Sequence, residues 1–473
     1  MITLPRLVLA GQVRVSVRRN EATPVFWRTI PLRVSASAPG SPVHDRLSPR
    51  RRSARARANP SRHCVWHPGT VRRSLGLAAC VLLCSAASGL SASSREESRA
   101  VGLPWQGRLV GGVRLPAESE RFFTWDFVRQ RSPNRAWRRA GTKRLVTTLR
   151  DVARAYERAN PGAPRLGIGD LSRPAGGDFG EAFGAPGHAS HQNGLDADVY
   201  YPRKDGRERP PARPRQIARS LAQELVDRFV AAGAAKVFVG PRTGLTGPPA
   251  IVEVLPAYHD NHLHLRLPGD GIASAEVGTS TLGQSIRAFR LGRGSARVLV
   301  VGCVHGDECA GSVVATRLLH ARPPEKGSIW VVPDLNPDGH AAKRRTNARG
   351  VDLNRNFPGT WRALGASGHA PASEIETRIA MRLVRRLRPE VTIWFHQPQA
   401  LVRATGASIG IARRFARLAR MRFRILPRPP GSATDWQHAA LPGTRAFVVE
   451  LPRGELGIRE AGRYSRAILR LAE

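Results

Sequence analysis

Apolar positions recur along the chain with two different periods. Over 143–159, Leu145, Leu149, Val152, Ala153 and Tyr156 fall on one helical face, and the breaker Asn160-Pro161-Gly162 follows. A second amphipathic helix is predicted over 214–232. Short strand-like runs at 198–201 and 262–267 lie in a Gly- and His-rich setting, and the mixture over 100–270 predicts an α+β domain. From 280 to 473 the pattern changes. Apolar runs at 297–304, 328–332, 390–395 and 446–451 alternate with helical stretches at 308–320, 373–387, 407–419 and 459–472. Buried strands alternating with helices predict an α/β domain around a central mixed sheet. The two regions share no pattern, so the chain reads as a fusion of unlike domains.

The first hundred residues carry no such period. Residues 1–70 hold thirteen Arg against only Glu21 and Asp45, which predicts either a disordered segment or an untranslated extension with the true start near Val71. Residues 71–94 have the plan of a secretory signal: Val71-Arg72-Arg73, an apolar stretch from Leu75 to Leu83, then mostly small residues. That run is too short to span a bilayer, so no transmembrane helix is expected in the mature chain. Leu77-Ala78-Ala79-Cys80 resembles a lipobox, a second way to leave the cytoplasm. A periplasmic or wall-associated location follows as an expectation.

A net charge of +39 makes the chain attractive to any polyanion without choosing one. No zinc-finger, helix-turn-helix or RNP pattern is present, and five Tyr offer few stacking platforms, so a specific nucleic-acid partner is not expected. The five Cys have neither zinc-finger spacing nor a disulfide framework. Cys303 and Cys309 could pair, but two small buried thiols are the expectation.

Two clusters concentrate chemistry in the first region. One is Gly187-His188-Ala189-Ser190-His191, continuing to Asp196-Ala197-Asp198; the other is His259-Asp260-Asn261-His262-Leu263-His264. Five of the fourteen His fall in these stretches, a concentration that packing does not explain. A catalytic zinc takes about three N or O ligands and keeps a position open for water. His191 and Asp198 can supply two, and His262 and His264, alternating on a strand, face the same side. With Gly169-Asp170-Leu171-Ser172 and Gly176-Gly177, these runs resemble the penicillin-insensitive murein endopeptidases, of the wider group of D-alanyl-D-alanine-cleaving zinc peptidases. The resemblance implies that His191, Asp198 and His264 bind zinc, that His262 acts as base or transition-state stabiliser, and that His188 and His259 line the site.

In the second region, the buried run Val298 to Val304 leads into His305-Gly306-Asp307-Glu308, and Val391 to Phe395 ends at His396. Two His and one Glu form a zinc ligand set with an open position. Glu450 sits inside an apolar stretch, a costly place for a carboxylate without a role. With Leu282-Gly283-Gln284-Ser285-Ile286, Arg345-Thr346-Asn347 and Asp352-Leu353-Asn354-Arg355-Asn356, this region resembles the zinc carboxypeptidase family, in particular its murein peptide amidase branch. That resemblance implies His305, Glu308 and His396 as zinc ligands, and Arg345 as oxyanion stabiliser. It gives Asn354 and Arg355 the substrate carboxylate, and Glu450 the role of general base. No Tyr lies between His396 and Glu450, so the substrate-capping tyrosine of digestive relatives is absent.

Together the resemblances imply an exported, bifunctional peptidoglycan hydrolase with two zinc ions, one per domain. It would cut D-alanyl–diaminopimelate crosslinks at the first site and γ-D-glutamyl–diaminopimelate bonds at the second. The alternatives are an extracellular zinc peptidase of protein or small peptides, and a non-catalytic wall-binding protein.

Overall fold

Amphipathic periodicity sets the layers of both regions. The structure, a computed structural model, describes residues 97–184 and 187–473. The expectations for 1–70, for the signal at 71–94 and for Cys64 and Cys80 lie outside the described residues. Lys143–Ala159 is a helix as expected, capped by the Thr142 side chain accepting from the Leu145 N–H, and it buries Leu145, Leu149, Val152 and Tyr156. The predicted helix at 214–232 begins as a short 3-10 turn, Pro214–Gln216, and becomes α-helical only over Arg219–Ala231, because Ile217 and Ala218 leave helical geometry.

Both helices contribute to one apolar core with a six-stranded sheet. Its strand order is Phe122–Thr124, Leu166–Ile168, Asp196–Tyr200, His262–Arg266, Lys236–Val239 and Val252–Val254. Helices and a mixed but mainly antiparallel sheet make this region α+β.

The second region is an eight-stranded mixed sheet, in the order Ile272–Thr279, Ser285–Gly292, Ser328–Val332, Ala296–Val301, Val391–His396, Arg445–Pro452, Gln399–Ala404 and Arg422–Ile425. The sheet opens at Ile272, ahead of the expected start at 280. Its four central strands run parallel. Alternating residues feed two cores: Val298, Val300, Ile393 and Phe447 go to one face, and Leu299, Val301, Trp394 and Val448 to the other. Helices cover both faces, the burial that lets strands run almost wholly apolar. Among the described residues no helix is long and apolar enough to cross a membrane.

Both regions belong to one compact unit. The Arg144 guanidinium joins them, donating to the carbonyls of Ile272 at 3.1 Å and Gly269 at 3.2 Å, and to that of Pro268. Trp105 meets His320 edge-on at 6.4 Å between ring centres, and Arg266 lies over the other side of the contact, 5.6 Å from the Trp105 ring. Hydrogen bonds from a charged donor contribute about 1.5–3 kcal/mol each, less when they share one side chain. Arg144→Ala is therefore expected to cost about 2–3 kcal/mol of stability, read by urea denaturation. An unchanged midpoint would show that the guanidinium does not join the regions energetically.

Candidate metal centres

The first centre forms where Asp196–Tyr200 lies antiparallel to His262–Arg266, with Asp198 directly opposite His264 and Asp196 opposite Arg266. Cross-strand partners share a face, so Asp198, His262 and His264 point the same way. His191 enters from the preceding loop at φ 66°, a left-handed conformation that costs energy for a residue with a side chain. Its Nδ1 bonds the Leu171 carbonyl, which fixes the tautomer and leaves the Nε2 lone pair facing Asp198.

His191 Nε2 lies 3.4 Å from Asp198 Oδ1, His264 Nδ1 3.7 Å from it and His262 Nε2 3.5 Å from it. His191 Nε2 and Asp198 Oδ1 are buried without a hydrogen-bond partner. Buried polar atoms are ordinarily satisfied, so a cluster of lone pairs on one oxygen fits a divalent cation. His188 offers an alternative third donor, since its ligand atom groups with those of His191 and Asp198 within 4.8 Å. However, its Nδ1 stands 3.9 Å from the other Asp198 oxygen, and its Nε2 is held by Asp170 at 2.8 Å. His264 is better placed by register. His259 stacks behind, 5.1 Å from His262 and 6.0 Å from His264 between ring centres, in the lining position expected for it.

The supporting carboxylates had no role assigned from sequence. Asp170 accepts two bonds from the buried Arg138 guanidinium and one from Asn134 at 2.8 Å. Asp196 is paired with Arg266 at 2.8 and 3.1 Å and also accepts from the His191 N–H. Burial raises the Asp198 carboxyl, but the charges of His191 and His262 overcome it and hold Asp198 well below the usual range. Burial lowers His191, yet Asp198 and Asp196 lift it to about 9, so a cation bound beside Asp198 would have to displace the Nε2 proton before that nitrogen could act as a ligand. Burial dominates at His262 and His264, pushing each down to about 4. They are neutral near pH 7, the form a ligand or base requires.

The second centre gathers at the C-terminal ends of the parallel strands. The strand Ala296–Val301 leads into the turn that carries His305 and Glu308, and the neighbouring strand ends at His396. Gly306 is required in that turn, because a Cβ there would collide with the Gly339 backbone. The expectation of two free thiols is corrected here: Cys303 and Cys309 form a disulfide that brackets the two ligands, with their Cα atoms 4.3 Å apart. The left-handed φ of 45° at Cys303 folds the chain back far enough for the pair to meet.

Three ligand atoms converge. His305 Nδ1 is 2.9 Å from Glu308 Oε2, and His396 Nδ1 is 3.1 Å from both. His305 Nε2 contacts Asp352 Oδ1 at 2.9 Å, so the carboxylate fixes the tautomer and leaves Nδ1 as a lone-pair donor. This donor set also fits zinc. Arg345 lies across the opening, donating to Glu308 at 2.6 Å and Asp352 at 3.0 Å. Asn354 Nδ2 is 3.3 Å from His396 Nε2, and Arg355 follows it.

Glu450 pairs in register with His396 on the adjacent strand, on the face shared with Trp394 and Val448. Its Oε2 is buried without a partner. Burial and the charge of Glu308 push it up to about 7, against the pull of Arg403, His305 and Arg345. The structure thus brings His305, Glu308, His396, Arg345 and Asn354 within hydrogen-bond reach of one another or of Asp352, and sets Glu450 beside His396 on the adjacent strand.

With this geometry established, comparison with known proteins is informative. The family model for penicillin-insensitive murein endopeptidase matches residues 100–230, and that for zinc carboxypeptidase matches 270–403. The two folded regions match two different peptidase families. Neither match reaches His259–His264 or Glu450, which the fold alone brings to the two centres. Murein peptide amidase A of Escherichia coli (strain K12) is 33% identical over 121 residues, 22% of this chain and 50% of its own length. Its counterpart in Vibrio campbellii is 29% identical over 149 residues, 28% of this chain and 60% of its own. The chain spans about half the length of the first of these relatives. The solved murein-tripeptide amidase from Escherichia coli O157 is 26% identical, covers 42% of this chain and 91% of its own, and superposes with a TM-score of 0.37.

A carboxylate behind a ligating histidine typically contributes 10–100-fold to metal affinity. Asp352→Asn is expected to weaken zinc binding at the second centre by roughly that factor and spare the first, as read by competition with a chromogenic chelator. Equal affinities in variant and parent would remove Asp352 from this role.

Proposed function

We propose that the chain is an exported, zinc-dependent peptidoglycan peptidase with two separate active centres. The observation that carries this reading is the convergence, in each region, of two imidazole nitrogens on one carboxylate oxygen. His191, Asp198 and His264 hold one ion; His305, Glu308 and His396 hold the other. Zinc bound there supplies a water of lowered pKa and a Lewis-acid contact for a carbonyl.

The chain's own residues do the rest. At the second centre Glu450 takes the proton of the attacking water and returns it to the leaving amine. Arg345 turns its guanidinium towards the developing oxyanion, and Asn354 and Arg355 hold the substrate's terminal carboxylate. At the first centre His262, neutral near pH 7 and 3.5 Å from Asp198, is the base or oxyanion stabiliser. His188 and His259 shape the cleft.

The likeness of the first region to a murein endopeptidase model supports cleavage of D-alanyl–diaminopimelate crosslinks. The likeness of the second to murein peptide amidases supports cleavage next to γ-D-glutamate. The signal-like stretch at 71–94 supports export, as does a disulfide, which persists in oxidising compartments.

Digestion of purified sacculi followed by mass spectrometry tests the reading. His191→Ala should abolish crosslink cleavage and spare stem trimming, and Glu450→Gln should do the reverse, each by at least about 10³-fold. Loss of both products from either change, or release of protein fragments but no muropeptides, contradicts it. Stem trimming should also fall as pH drops through the range at and below 7, because Glu450 must be ionised to accept a proton and a bound cation lowers its pKa further. A flat profile from pH 5 to 8 would exclude Glu450 as the base.

A further inference from the structure

The turn that carries His305 and Glu308 holds a further donor set that the chemistry above does not use. The Cys303–Cys309 disulfide spans that turn, and His340 joins it from the short helix Pro337–Ala341. The ligand atoms of these three residues, two sulfurs and an imidazole nitrogen, lie within 4.8 Å of one another. Backbone packing brings them together. Gly306 lies so close to Gly339 and His340 that the contact leaves no room for a Cβ.

His340 is supported from behind as His305 is. Its Nδ1 is held by Asp334 Oδ2 at 2.6 Å, which leaves Nε2 to supply a lone pair. Asp334 is itself buried, and its other oxygen accepts from the Asn336 N–H at 3.0 Å. The sulfurs lie against the backbone of the ligand turn. Cys303 Sγ is 3.6 Å and Cys309 Sγ 3.5 Å from the His305 carbonyl, and Cys309 Sγ is 3.3 Å from that of Gly306. Reduced to thiols, both therefore have acceptors already in place. Cys309 and His340 border one open groove, so a small dithiol and a metal ion can reach them from solvent.

We propose that this turn contains a third metal site, available only when the disulfide is reduced, in which Cys303, Cys309 and His340 bind a thiophilic divalent ion. Two thiolates and an imidazole are a donor set that suits zinc. An external dithiol supplies the electrons. One of its thiolates attacks a disulfide sulfur and breaks the S–S bond, and its second thiol then resolves the mixed disulfide. The dithiol leaves oxidised, and both cysteines remain as thiols. These release their protons to solvent as the ion binds. Disulfide and metal are alternative ties across the same turn, and the site shares no ligand with the two centres proposed above.

Cobalt(II) is the probe, because thiolate ligation gives it a near-ultraviolet charge-transfer band that imidazole and carboxylate ligands do not. Neither of the other centres holds sulfur, so the band reports this site alone, whether or not those centres act as proposed. The full chain, reduced with a phosphine and freed of it without oxygen, should show the band and take up about one cobalt more than the oxidised chain. Cys309→Ser should lose the band. His340→Ala, which leaves both cysteines in place, should bind the additional ion at least about tenfold more weakly when reduced and match the parent's uptake when oxidised. Equal uptake before and after reduction, reduction without the band, or an unchanged affinity in His340→Ala overturns the assignment.

Discussion

Lone pairs that face each other in a buried space repel unless a cation lies between them, and two such arrangements organise this protein. At the second centre two imidazole nitrogens and a carboxylate oxygen stand 2.9–3.1 Å apart. The tautomer of one imidazole is set from behind by Asp352, which turns its other nitrogen towards Glu308 and His396. At the first centre two imidazoles share one Asp198 oxygen at 3.4 and 3.7 Å. Burying such groups costs several kcal/mol without a counter-charge. The left-handed backbone at His191, the Gly306 turn and the carboxylates behind the histidines all make sense as parts that hold these donors against their mutual repulsion.

The two centres reach this state by different architectures. The first relies on antiparallel register: a one-residue slip between Asp196–Tyr200 and His262–Arg266 would send Asp198 and His264 to opposite faces. The second relies on parallel strands ending at the same level, so that a turn ligand, a strand-end ligand and the base Glu450 meet at one rim. Open α/β sheets bind ligands at this edge, outside the carboxyl ends of their strands. The Cys303–Cys309 disulfide ties off the ligand-bearing turn where it leaves the sheet.

Much of this was legible in the chain because ligands come in short, regular runs. His-x2-Glu at a strand end, His-x-His on a strand, and a carboxylate inside an apolar strand each announce chemistry by local spacing, and the structure places the first and third at one centre and the second at the other. The helix Lys143–Ala159 and the strand Ser328–Val332 were likewise readable from period alone. What stayed hidden depends on distance in sequence. Asp352 supports His305 from 47 residues away, and Asp170 reaches Arg138 across 32. Whether Cys303 and Cys309 pair is open in the sequence and is decided only by the turn that brings them together.

Anomalous diffraction from crystals of the chain, measured on both sides of the zinc absorption edge, tests the central claim most directly. Two peaks per chain are predicted, one among His191, Asp198 and His264 and one among His305, Glu308 and His396, each at about 2.0–2.2 Å from its ligands. A single peak, or a peak that His188 rather than His264 coordinates, would contradict the account at the corresponding centre; no peak at either would contradict it as a whole.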